Sequence, residues 1–98
     1  MKNKKKISIY INRKIKEQVM REIDTSFAQF VIGLVESYLY ERYDIPTSAI
    51  LLSNHHEDDC MYLLWVSDDM YNRIVNESAM HGWSANKFLT VLIYNWSM

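Results

Sequence analysis

Between Lys6 and Arg13 apolar and polar residues alternate without a break, with Ile7, Ile9 and Ile11 on one side and Lys6, Ser8, Tyr10 and Asn12 on the other. A period of two is that of a strand with one dry and one wet face. The spacing then changes. Asn12 is placed to cap a helix whose apolar positions, Ile15, Val19 and Ile23, recur every four residues. The polar break Asp24-Thr25-Ser26 ends that helix and supplies a second capping side chain. Phe27, Phe30, Val31, Leu34, Val35, Tyr38 and Leu39 follow at three- and four-residue spacing, which predicts a longer amphipathic helix. The first part of the chain therefore reads strand, helix, helix.

The same order returns further on. Tyr62 to Val66 is a short β-prone run, and Ser67 is a cap followed by Asp68 and Asp69, which suit the positive end of a helix. Met70, Ile74 and Val75 begin the apolar stripe of that helix, and His81-Gly82 stops it, because glycine adopts a left-handed C′ position at least cost. Ser84 caps a last helix carrying Phe88, Leu89, Leu92, Ile93 and Trp96. Setting Ile11-Asn12 over Val66-Ser67 and Ser26-Phe27 over Ser84-Ala85 aligns all three elements. The main difference in length falls in the turn between the helices, where such differences are tolerated.

Composition supports long regular elements in one folding unit: of 98 residues 49% are hydrophobic, and only two glycines and one proline interrupt the chain. The net charge of −1 conceals a division. Residues 1–43 hold nine Lys or Arg against five acidic residues, whereas residues 44–98 hold Arg73 and Lys87 against seven. The chain is basic in front and acidic behind. The single cysteine, Cys60, has no partner for an intrachain disulfide, no secretory leader pattern opens the chain, and no apolar run is long enough to span a bilayer. A reducing cytoplasmic location, without membrane association, is expected.

Gly82-Trp83-Ser84-Ala85-Asn86 is similar to the turn that opens the second helix in the ribbon-helix-helix superfamily of Arc, MetJ and CopG-like repressors. Thr25-Ser26-Phe27-Ala28-Gln29-Phe30-Val31 takes the same part in the first half without the glycine. With the repeated element order, the chain resembles that superfamily over about residues 4–43 and 61–97. Two units in one chain are similar to the fused form of TraY-type conjugation proteins and archaeal filamentous-virus regulators. The resemblance implies a mainly α protein with short β ribbons, built of two tandem ribbon-helix-helix units in the order β-α-α-linker-β-α-α. The first unit is expected over residues 1–43 with a basic tail, the linker over 44–60 and the second unit over 61–98.

A unit of about forty residues buries too little to stand alone, so two must interlock, strands antiparallel and helices beneath. A paired ribbon is narrow enough to enter a DNA major groove, where its outer face reaches base edges. The expected base-reading residues are Lys6, Ser8 and Tyr10, with Lys2, Lys4 and Lys5 beside them for phosphates. Backbone N–H groups at the start of each second helix, at Thr25, Ser26 and Phe27 and at Trp83, Ser84 and Ala85, are expected to clamp phosphates, since unpaired donors and the helix dipole point there.

The second strand breaks this pattern, because its outward positions are Met61, Leu63 and Trp65. Apolar groups can touch a thymine methyl but read no donor and acceptor pattern. They are expected to anchor a protein interface, a degenerate DNA strand being the other reading. Pairing within one chain would give a hybrid ribbon and an asymmetric operator; pairing of like units between chains would give a palindromic one. The linker can span either path.

His55-His56-Glu57-Asp58-Asp59-Cys60 gathers metal-ligand residue types without the spacing of a closed site, and reads as a solvated loop. Neither a phosphate-cradling glycine loop nor a nucleophile with its base is present, so no enzyme, cofactor or small-molecule substrate is expected. The expected function is sequence-specific binding of double-stranded DNA by a transcriptional regulator, of viral or plasmid type, acting as a homo-dimer or higher oligomer. The competing expectation is a protein-interaction module, antitoxin-like or a structural oligomer, using the apolar second strand.

Overall fold

The computed structural model of the protein describes residues 4–54 and 57–98. Strand β1 (Lys4–Asn12) leads into α1 (Arg13–Glu22) and α2 (Phe27–Glu41), and a short α3 (Thr47–Leu52) follows. Strand β2 (Asp59–Ser67), α4 (Asp68–Met80) and α5 (Ala85–Ser97) complete the chain. The capping residues do what their chemistry suggests. Asn12 accepts from the N–H groups of Lys14 and Ile15, Ser26 from Gln29, Ser67 from Met70 and Ser84 from Lys87. At the end of α4, Gly82 takes φ +74°, and the Gly82 and Trp83 N–H groups donate to the Ala79 and Ser78 carbonyls. This is the Schellman closure that a glycine there permits.

The expectation of two tandem ribbon-helix-helix units is corrected by the sheet. Among the described residues there is one two-stranded antiparallel sheet, β1 with β2, and the element order is β-α-α-α-β-α-α. Each strand has its hydrogen-bonding edge filled by the other half of the chain, so there is one ribbon and neither half completes a unit by itself. The segment read as a linker also contains a fifth helix, α3. It forms behind Pro46 because Ala49, fully buried, seats it on the core, while the Lys87 amino group donates to the Ile50 carbonyl at 3.1 Å and to Ser53 and Asn54 at its far end.

The core lies on one side of the ribbon. Ile7, Ile9, Ile11, Leu64 and Val66 point inward and are buried, meeting Val19 of α1, Phe27, Val31 and Val35 of α2, Ile74 of α4 and Phe88, Leu89, Leu92 and Ile93 of α5. Helix α5 is buried at every position from Phe88 to Tyr94, which marks it as the central element. Its one polar residue in that run, Thr90, donates its hydroxyl to the Asn86 carbonyl at 2.6 Å.

Candidate nucleic-acid interface

Side chains alternate along a strand, so burying the isoleucines of β1 forces its other residues out. Lys4, Lys6 and Tyr10 are exposed and Ser8 is half-exposed on that outer face, while Lys5, in phase with the isoleucines, is exposed as well. On β2 the burial of Leu64 and Val66 likewise sends Met61, Leu63 and Trp65 outward, at 51%, 38% and 52% exposure. Because the strands pair, these two sets share one face. Lys6 stands opposite Trp65, Ser8 opposite Leu63 and Tyr10 opposite Met61. Facing residues of a two-stranded sheet lie roughly 5 Å apart, so any molecule that covers one set covers the other. Lys6 Nζ lies 6.0 Å from the centre of the Trp65 ring, and Lys5 Nζ lies 5.7 Å from that of Tyr71.

The starts of α2 and α5 are held against the two strands. Asn86 accepts from the Tyr10 N–H through Oδ1 at 2.8 Å, which fixes the first turn of α5 beside β1. The Tyr94 hydroxyl accepts from the Asn12 N–H at 3.1 Å further along that edge. On the other side the Phe27 ring meets Tyr62 of β2 edge-on, with centroids 4.7 Å apart. Lys16 Nζ lies 5.2 Å from the Tyr62 ring centre and 5.8 Å from that of Phe27, placing a cation at the α2 start. At the α5 start the corresponding charge is withdrawn, since Lys87 is turned into the end of α3. Burial lowers the Lys87 pKa.

The expected phosphate donors are placed as follows. Lys4, Lys5, Thr25, Ser26 and Ser84 are exposed and Ala85 is half-buried. Phe27 is buried to 3%, so only its backbone faces the helix start. The Thr25 hydroxyl is bonded to Gln29 Oε1. The Trp83 N–H is taken up by the Ser78 carbonyl at 2.9 Å, and its ring stacks on His81 with centroids 4.6 Å apart. With the Lys87 N–H given to the Ser84 hydroxyl at 3.1 Å, the Ala85 and Asn86 N–H groups are the ones that the α5 start aims outward. Lys2 lies outside the described residues, as do His55 and His56.

Asn86 and Tyr94 are site residues that sequence reasoning did not single out, whereas Lys16, with Arg13 and Lys14, reads in the sequence as added charge or a solvated helical face. Asn86 was within reach, because it stands two places after a capping serine in a turn already set apart, and its amide is one of the few side chains able to accept from a free strand edge. Behind the face, His81 shares a 2.9 Å hydrogen bond with the Tyr38 hydroxyl, and Arg42 is paired with the buried Glu77. These bonds tie the end of α2 to the end of α4. Burial, and after it the Glu77 charge, raises the Tyr38 pKa.

Among the described residues no group of three or more His, Cys, Asp or Glu is placed to hold a metal ion, and no helix is long and apolar enough to cross a membrane. Compared with protein-family models, curated proteins and solved structures, the chain matches none.

Proposed function

We propose that this chain is a sequence-specific double-stranded DNA-binding regulator that lays the outer face of its single ribbon in the major groove. The observation that carries the reading is the outer face itself: Lys4, Lys6, Ser8 and Tyr10 stand out in a row from a strand whose isoleucines are sealed in the core on the other side, and Lys5 is exposed at the same end. Two strands about 5 Å apart fit a groove about 12 Å wide. Lysine donates to guanine acceptors, and the serine and tyrosine hydroxyls both donate and accept. The helix starts on either side of the ribbon offer N–H groups to the flanking phosphates. The likeness to ribbon-helix-helix proteins in the two turn segments supports the same reading. Such a protein works in the cytoplasm of the cell that holds its DNA.

Changing Lys6, Ser8 and Tyr10 together to alanine is expected to remove sequence preference and leave the fold intact, as read by competition binding and circular dichroism. Undiminished selectivity in that variant would overturn the assignment. Affinity is expected to fall steeply with salt. Replacing Lys4, Lys5 and Lys6 by glutamine makes the dependence of log K on log salt shallower by about 0.9 for each phosphate no longer neutralised.

A second reading, a protein-interaction module, is favoured by the exposure of Met61 and Trp65. A contact driven by these groups is nearly indifferent to salt, and under this reading Trp65→Ala lowers assembly size in sedimentation without changing DNA affinity.

A further inference from the structure

We infer that the ribbon reads a non-palindromic site in which one strand, β2, recognises the 5-methyl groups of pyrimidines while β1 reads hydrogen-bonding base edges. The inference rests on the DNA-binding reading and names what that reading leaves open, namely which chemistry each side of the site presents.

The register supplies the first step. Ser8 faces Leu63, and the pairs on either side are Lys6 with Trp65 and Tyr10 with Met61. The pairing is thus symmetric about the Ser8 and Leu63 pair, and a half-turn about that point exchanges Lys6 with Met61, Ser8 with Leu63 and Tyr10 with Trp65. Duplex DNA has the same local two-fold symmetry in its backbone, so each exchanged pair meets an equivalent place in the groove. Groups that differ at every equivalent place cannot favour equivalent bases there.

The second step is the chemistry of the groove. The major-groove edges offer hydrogen-bond donors and acceptors and one apolar feature, the 5-methyl of thymine, which 5-methylcytosine shares. Met61 and Leu63 have no polar hydrogen to donate. Covering a donor or acceptor with either would leave it unpaired and out of water, so the face they present selects for the methyl. Trp65, with Lys6 held over its ring, combines an apolar plane with a cation beside it.

Charge adds affinity on the β1 side. Lys4 to Lys6 stand at one end of that strand, whereas Arg13 at the other is paired with Asp58 at 3.4 Å. Both backbones of the groove are negative and equivalent, so turning the ribbon end for end leaves this attraction as it was, and the bases alone set its direction.

The test is selection of bound duplexes from a randomised pool, followed by replacement of each thymine in the selected site with deoxyuridine, which removes only the methyl. The expected site is not its own inverted repeat. Deoxyuridine weakens binding about three- to fivefold per methyl at positions grouped on one side, as expected for one buried methyl. Installing 5-methylcytosine at a cytosine on that side has the opposite effect. Leu63→Ser, on an exposed position, abolishes the uracil effect at the centre and leaves the salt slope unchanged.

A palindromic selected site, or salt-dependent binding unaffected by every uracil replacement, overturns the inference and leaves the DNA reading standing. Absence of any salt-dependent duplex binding overturns both. A face covered instead by a second copy of the chain shows itself as a dimer that Leu63→Ser dissociates while uracil replacement does nothing, which also overturns it.

Discussion

The two strands of the ribbon are alike on the inside and unlike on the outside. Ile7, Ile9 and Ile11 of β1 and Leu64 and Val66 of β2 are all buried, whereas outside Lys6, Ser8 and Tyr10 face Trp65, Leu63 and Met61. The second helices of the two halves diverge in the same manner. Helix α2 buries one stripe, Phe27, Val31, Val35 and Tyr38, while α5 is buried all round because α3 lies against it. The inner faces must fill one space and are held to one chemistry by it. The outer faces meet no such demand, and each carries what its own surroundings require.

Four measurements test this contrast, taken from the largest expected effect downward. Ile9→Ala and Leu64→Ala remove side chains with 0% exposure from matching inner positions, and each is expected to cost about 2–5 kcal/mol in urea unfolding. Similar losses confirm a common interior, and a severe loss for one with a slight loss for the other breaks it. Arg42→Met leaves the buried Glu77 carboxylate without its guanidinium partner and is expected to cost about 1–3 kcal/mol. Pairing it with Glu77→Met in a double-mutant cycle recovers part of that loss if the halves are pinned there.

Asn86→Ala makes the α5 start resemble that of α2, where Ala28 occupies the matching place. It is expected to cost about 1 kcal/mol and to speed hydrogen exchange at the Tyr10 amide. Unchanged exchange at Tyr10 would show that the bond does not hold the edge.

The last effect is alkaline. Burial raises the pKa of Tyr38, Tyr43 and Tyr94. A group with a raised folded-state pKa contributes stability that is complete below its unfolded value, about 10 for tyrosine, and lost as pH climbs through the folded value. Stability is therefore expected to decline above pH ~10. Tyr94→Phe should flatten the decline while removing the bond from the Asn12 N–H, as followed by denaturation at stepped pH.

Local chemistry was the legible part of this fold. Asn12, Ser26, Ser67 and Ser84 announce their helices because a short polar side chain before an apolar period satisfies an orphan N–H, and Gly82 announces a stop. The outward residues of β1 followed from alternation alone. Those of β2 did not, since a strand apolar on both faces does not declare its inner side, and only its alignment with β1 placed Met61, Leu63 and Trp65 outside. Helix α3 escaped because six residues are too few to show a period, and its anchor, Ala49, is small. That the halves share one ribbon was not fixed either. A slip of two residues keeps every isoleucine inward, and long-range bonds such as Asn86 to Tyr10 accompany the observed register. The burial of Glu77 depends on Arg42, which is 35 residues away.

A sheet whose two strands come from a single polypeptide closes by a first-order event, so diluting the protein does not unzip it, and the entropy of closing the intervening loop grows only logarithmically with its length. It also frees the strands from each other's mutations. In a ribbon made of two identical chains every substitution is written twice, once on each side of the axis. Here a change at Leu63 leaves Ser8 as it was, and the two sides of the surface are open to separate tuning.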